Sequence, residues 1–310
     1  MDDAEFYDIL PVGIVQTTVD ANKAWALDAT SPTMSAEQDE HAWQEISKAM
    51  RSFQDNESRP RLIVLPELSL PRTRLSDFEQ LVSALNAIVI AGVDYRLDPT
   101  AHTAKNEGIV FVPKGFFQSK PSRYCTRVVF GKTHAAPAER AKLWQLAPSW
   151  TFEPDSTVYV FDCERYGCVG VSICYDFMDI ERALMYRGQI QHLVVLAYNR
   201  DLNMFRALAE SLSRTVFCNV IVCNTGHHGG SLAVSPHYEA AERVLYSHDG
   251  AKLFTAQVVN LPVQGLIRAQ SDVREKKVPG LRRTDFVFKD RPPGYEGGPH
   301  LSLRKKPLSD

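Results

Sequence analysis

VGVSICYD, residues Val169 to Asp176, is the stretch from which the rest of the chain can be read. It lies within Val158 to Asn199. There VYVFD and CVGVSIC have the β-branched and apolar composition of two short strands, joined by a turn at Glu164-Arg-Tyr-Gly167. Cys174 thus falls at a strand exit. From Phe177 to Arg187 the residues Ile180, Ala183, Leu184 and Arg187 recur at helical spacing, with Asp176 or Asp179 as the cap and Gly188 as the stop. HLVVLAYN supplies the next strand. A strand, sharp turn and helix lift a side chain out of a sheet and aim backbone N–H groups at the space above it, where an oxyanion finds donors. The simpler reading of a lone free cysteine is a small buried apolar side chain. Cys174 acquires a role only through partners elsewhere.

The chain has 310 residues, 44% of them hydrophobic, enough for one large domain. A formal net charge of −2 gives no broad basic field for nucleic acid or anionic lipid, which points to a small-molecule partner. The six cysteines lie in or beside apparent strands, not at the spacings of a disulfide scaffold. MDDAEFYDIL lacks the basic region and long apolar run of a secretory leader, and no stretch approaches the length of a membrane span. The expectation is a cytoplasmic protein with reduced thiols and no membrane contact.

Before the central stretch, residues 8–16 read as a first strand and residues 35–54 as a helix with Trp43, Ile46, Met50 and Phe53 on its core face. RLIVLPEL is a short buried strand ending in Pro66-Glu67, and Ser76-Asp-Phe-Glu79 is a capping box that opens a helix. AIVIAGVDY, EGIVFVP and SRYCTRVVFGK add three strands. Gly131 to Phe152 reads as a long irregular segment of the kind that is often functional. After Asn199 come a helix over 202–217 and strands at VIVCN, SLAVSP, RVLYSH and AKLFTAQVVN. Alternating strands and helices followed by hairpins predict an α/β fold, a mixed sheet system covered by helices. We divide the chain into a domain of residues 1–265 and a polar, basic arm of residues 266–310, lying on the surface or on a partner subunit.

Two further residues share the setting of Cys174. Glu67 and Lys132 each stand at or near the exit of an apolar strand, so adjacent strands would bring a thiol, a carboxylate and an ammonium together. A carboxylate in a partly dry site has its pKa raised toward the range of a working base, and it can take the proton of a cysteine nucleophile. The lysine would favour the thiolate and hold an oxyanion. Neither metal nor histidine is required.

These residues resemble the motifs of the nitrilase, or carbon–nitrogen hydrolase, superfamily. The likeness is carried by Pro66-Glu67 after an apolar strand, by Gly131-Lys-x-His134, and by Gly170-x-x-Ile-Cys-Tyr-Asp176, over roughly residues 8–262. Gln16, Glu139, Glu181, Asn224-Thr-Gly226 and Gly230-Ser231 agree with it. The resemblance implies a four-layer α-β-β-α sandwich, assembled as homodimers or larger oligomers through the nucleophile side. It implies Glu67 as general base, Cys174 as the nucleophile that forms a thioester, and Lys132 with the Tyr175 N–H as oxyanion donors. Glu139 is then the second glutamate, orienting Lys132 and water. Ile180, where a proline commonly stands, and the pair His227-His228 depart from the pattern.

Other constellations explain less. A Cys174–His134 pair leaves Glu67 and Lys132 without a task. Cys218 and Cys223, with His227 and His228, suggest zinc, but two cysteines five apart on a straight strand face opposite sides. Asn224 to Ser231 lacks the ending of a phosphate loop. The expected protein is a cofactor-free, metal-free amidohydrolase acting on a small linear amide or carbamoyl compound, with Tyr175, Tyr198, Asn199 and His227 lining the pocket. A nitrilase, or a non-catalytic scaffold of the same fold acting through its tail, is the alternative, and nucleic acid is a minor prospect as a partner of the tail. A low-pKa Cys174 is expected to react with iodoacetamide far faster than Cys125 or Cys218.

Overall fold

Apolar runs such as LIVL, VVLA and VIVC are buried on both faces of their strands, and this dictates two sheets covered on both sides. The computed structural model describes residues 9–117, 122–271 and 287–295. One sheet has the order β13-β1-β2-β3-β4-β5, with β6 (Thr151–Phe152) paired to β4. Its members are β1 (Ile9–Gln16), β2 (Leu62–Leu70), β3 (Ile88–Asp98), β4 (Thr103–Pro113), β5 (Cys125–Gly131) and β13 (Thr255–Pro262). The other runs β12-β11-β10-β9-β8-β7. It comprises β7 (Val160–Asp162), β8 (Cys168–Ile173), β9 (His192–Ala197), β10 (Asn219–Asn224), β11 (Ser231–Val234) and β12 (Val244–His248). In each sheet three parallel strands, β1-β2-β3 and β8-β9-β10, are flanked by antiparallel ones.

Ile14, Leu62, Val64, Ile90, Val171, Ile173, Leu193 and Val220 form the core in which both sheets take part. Ile63, Leu65, Val89 and Phe111 face the other way, against Ile46, Met50 and Phe53 of α2 (Ala36–Asp55), which follows the short α1 (Ala21–Ala24), and against Phe78 and Val82 of α3 (Leu75–Leu85). Ser35 caps α2 through its side chain, and Phe205 and Ala209 of α6 (Leu202–Leu212) bury against the second sheet. Two mixed sheets between helical layers are the expected α-β-β-α architecture.

Three local expectations fail for identifiable reasons. Ser76 is not a cap, because a 3₁₀ turn at Arg72–Arg74 leads directly into α3 at Leu75 and no side chain caps that end. The segment 131–152 is not irregular throughout: α4 (Pro137–Gln145) runs through it, concealed in the sequence because Leu143 is its one buried residue. The stretch 177–187 divides into a 3₁₀ turn, Cys174–Met178, and α5 (Ile180–Tyr186), capped by Asp179. Its apolar residues face outward, Ile180 being 83% and Leu184 57% exposed, whereas Arg182 and Tyr186 turn inward.

A helix, α7 (Gln264–Gln270), crosses the boundary placed at residue 265. Leu266 and Ala269 pack with Phe217 and Phe288, so residues 287–295 lie against the domain, while the rest of the proposed arm falls outside the described residues. Among the described residues no helix is long and apolar enough to cross a membrane.

His192, at the start of β9, is fully buried beside Tyr166 O at 2.9 Å and Asn219 Nδ2 at 3.1 Å. Desolvation pulls its pKa from 6.5 down to about 4. The unfolded chain therefore binds a proton between those values that the folded chain refuses, so stability rises with pH across this window. The gap corresponds to roughly 3 kcal/mol. Thermal midpoints should fall as pH drops from 6.5 toward 4, and His192→Gln should flatten that slope even where it lowers the midpoint overall.

Candidate active site

Glu67 does not end a strand; it sits inside β2 at an irregularity. The register against β3 shifts between Leu65 and Leu70, and Leu68 takes a positive φ of 52°. A Cβ on the facing Gly92 would lie 2.3 Å from Pro66 O and 2.5 Å from Glu67 Cα, so the kinked segment fits only against a glycine. Ser69 Oγ closes the kink by donating to Pro66 O at 2.8 Å. The result presents the Glu67 carboxylate, 3% exposed, at the edge where β5, β8 and β9 also finish.

Lys132 follows β5 and is held by its own N–H to Asn106 O at 2.9 Å. Only 2% exposed, it donates from Nζ to Glu67 Oε1 at 2.8 Å and to Glu139 Oε2 at 2.6 Å. Glu139 comes from the first turn of α4, behind Pro137 at the helix start, and also accepts the Ala136 N–H at 3.2 Å. Two residues that the sequence motifs do not mark complete the cluster. Asn106 Nδ2 lies 2.8 Å from Glu67 Oε1 and 2.8 Å from Glu139 Oε1, and Tyr95 donates its hydroxyl to Glu139 Oε1 at 2.9 Å. Polar residues inside apolar strands, in GVDY and KNEGIVF, were the available signal.

Cys174 stands at the exit of β8 with a positive φ of 48° and is 7% exposed. Its thiol lies beside the Glu67 carboxylate and donates to Tyr198 O at 3.9 Å. The Tyr198 N–H donates to Glu67 Oε2 at 3.0 Å, so one residue's backbone touches both partners. Asp176, 1% exposed, ties this turn to the lysine strand by accepting the N–H groups of Thr133 and His134, both at 2.8 Å, with Arg182 at 3.4 Å. His134 takes no part in a thiol–imidazole pair; its half-exposed ring points to Asp179 at 3.8 Å.

Burial and the neighbouring Glu139 charge raise the Glu67 pKa, against the pull of Lys132. Glu139 is equally desolvated, but Lys132, Asn106 and Tyr95 overcome that and hold it below the ordinary glutamate value. Lys132 suffers the same desolvation, yet its two carboxylates keep it charged to well above the ordinary lysine range. Burial and the Glu67 charge push the Cys174 thiol well up despite Lys132. The resting pair is therefore a thiol beside a carboxylate, which replaces the expected low-pKa cysteine. Any selective reactivity of Cys174 must come from a base within reach.

The four residues expected to line the pocket have different placements. Tyr175 is partly exposed in the turn that carries Cys174. Tyr198 reaches the site by its backbone, while its hydroxyl is engaged with Val19 O and Ala21 N, each at 2.9 Å. Asn199 is a structural link, exchanging hydrogen bonds with Asn224 at 2.8 and 2.6 Å. His227 stacks near the Tyr198 ring, 6.4 Å between centroids, and lines a cavity of about 450 Å³ together with Thr18, Asp20 and Lys252. Cys218 and Cys223 are free and buried, and no cluster of metal-binding side chains occurs among the described residues.

No protein-family model matches the sequence. No curated protein matches it either. Solved structures do match the fold. Nit3 of Saccharomyces cerevisiae, described as a member of branch 10 of the nitrilase superfamily, superposes with a TM-score of 0.57 at 17% identity, over 89% of this chain and 96% of that one. A CN-hydrolase superfamily protein of Xanthomonas campestris with an arsenic adduct in its active site gives 0.59 at 10% identity, over 96% and 99% of the two chains. A mutant amidase of Nesterenkonia sp. AN1, carrying the acetamide moiety of fluoroacetamide on its active-site cysteine, gives 0.58 at 12% identity, over 85% and 92%. The fold of this chain is that of the nitrilase superfamily, amidases included.

Removing the Asp176 carboxylate would orphan two backbone N–H groups and leave the buried charge of Arg182 without its anion. Asp176→Ala should cost about 3 kcal/mol in urea unfolding, whereas Asp179→Ala, at a more exposed cap, should cost about 1 kcal/mol.

Proposed function

We propose that the protein hydrolyses a non-peptide C–N bond in a small linear amide or carbamoyl compound through a thioester on Cys174. The observation that carries this reading is the placement of one buried carboxylate, Glu67, beside the Cys174 thiol, with Lys132 bonded to it at 2.8 Å and the Tyr198 backbone joined to both Glu67 and Cys174. Glu67 takes the thiol proton as sulfur bonds to the substrate carbonyl carbon. The oxygen, now negative, is met by Lys132 and the Tyr175 N–H. Collapse breaks the C–N bond, and Glu67 passes its proton to the leaving ammonia or amine. Glu67 then deprotonates a water, whose oxygen attacks the thioester; the C–S bond breaks, a carboxylic acid leaves and Cys174 regains its proton. Glu139, anchored by four donors, steadies Lys132 throughout. No step calls on a cofactor. Tyr175-Asp176 after the nucleophile resembles amidase branches more than nitrilases, which usually carry Trp-Glu there.

The test is ammonia release from a panel of small amides, carbamoyl compounds and nitriles with wild-type protein and Cys174→Ala. Turnover of an amide or carbamoyl compound, lost at least 10³-fold in the variant, is expected. Turnover confined to nitriles would replace the amidase reading, and activity that survives in Cys174→Ala would end the thioester. Because Glu67 must be ionised to act, kcat/KM should climb with pH through a midpoint above the ordinary 4.5 of glutamate. It should show no descending limb at the ordinary thiol value of 9.0.

We also propose that the protein is a homodimer or larger oligomer. The exposed side chains of Met178, Ile180, Leu184 and Met185 beside the nucleophile form an apolar surface that a second copy would cover. Sedimentation should give at least twice the chain mass, and Ile180→Glu with Leu184→Glu should return it to one chain; a monomeric wild type would refute this.

A further inference from the structure

Asn106 is, among the described residues, the uncharged side chain that touches both carboxylates of the cluster. It is 1% exposed, and its amide nitrogen spends one hydrogen on Glu67 and one on Glu139, each at 2.8 Å. The amide cannot be turned over, because its oxygen would then face two groups that only accept. Its oxygen meanwhile has no partner among the described residues. A buried carbonyl without a donor costs stability, so this orientation is held against that cost by what the nitrogen does.

Two carboxylates share a single cation, Lys132, and the charges around them do not balance. Glu67 faces Lys132 and Glu139, with the Cys174 thiol, the Tyr198 N–H and the more distant Tyr95 and Tyr198 phenols around it. Glu139 faces Lys132, Tyr95 and the Ala136 N–H. Asn106 is the remaining donor to either.

We propose that Asn106 is a positioning residue that lets both glutamates stay ionised at once, fixing Glu139 as a permanent anion and leaving Glu67 as the proton acceptor. This rests on the reading of Glu67 as the base for Cys174. Asn106 touches no reacting atom; it acts through the two carboxylates, and it decides at what pH the base is ready.

The experiment follows alkylation of Cys174 by iodoacetamide against pH, which needs no substrate, in wild type, Glu67→Gln, Asn106→Leu and Asn106→Ser. In wild type the rate should fall on the acid side as Glu67 is protonated, and Glu67→Gln should abolish this edge. Asn106→Leu, of similar volume but without donors, should move the edge upward by about one pH unit, making alkylation about tenfold slower below it. Asn106→Ser, which keeps one hydroxyl donor, should give a smaller upward move and decides the matter should the leucine variant not fold. An edge that is lost in Glu67→Gln but unmoved in the folded Asn106 variants overturns the role of Asn106 alone. An edge that persists in Glu67→Gln overturns the base assignment and this proposal with it.

Discussion

A lysine ammonium that is 2% exposed has surrendered its hydration, and a lone charge in that position would simply lose its proton. Lys132 keeps it because two carboxylates lie within 2.8 Å. That requirement governs the rest of the site. Two anions close together repel, so each needs further donors: β3, the residue after β9 and the start of α4 contribute one each, and Asn106 of β4 contributes two. The division of labour follows from the count. Glu139 collects four donors and stays an anion, whereas Glu67 has three, from Lys132, Asn106 and the Tyr198 N–H, which do not offset its burial, and a thiol lies within reach.

Residues that carry charge or a thiol stand out in an apolar strand context, which is why Glu67, Lys132 and Cys174 can be picked from the sequence; Lys132 and Cys174 meet through strand exits on one edge, whereas Glu67 joins them through the kink inside its strand. Asn106 and Tyr95 escape notice for the opposite reason. An asparagine or a tyrosine in a strand has many ordinary uses, and their meaning here lies in which oxygen they meet, a fact of three dimensions. The helix Pro137–Gln145 is hidden because its surface is almost wholly polar, its sequence periodicity having just Leu143 to mark a core face. At Ile180 and Leu184 the periodicity is present but points away from the core. Pattern reveals that a face is apolar without saying what will cover it. The four-layer arrangement is legible only through the family resemblance, and the strand order of the sheets is not legible at all, since single strands do not announce their neighbours.

The kink at Pro66–Ser69 and the turn at Cys174 are both strained, with positive φ at Leu68 and Cys174. Conformations of this kind persist only where the surroundings overdetermine them. Here Gly92 leaves room for the first, and Asp176 lashes the second to Thr133 and His134.

Glu67 and Lys132 belong to one sheet and Cys174 to the other, with an apolar layer between. The spacing between Glu67 and Cys174 is therefore set by how the two sheets mesh, in the way a vernier reads the offset of two scales. Side chains such as Val64, Ile90, Val171 and Leu193, remote from any reacting atom, are the graduations of that scale. Trimming a methyl group from one of them changes the reading before it threatens the fold.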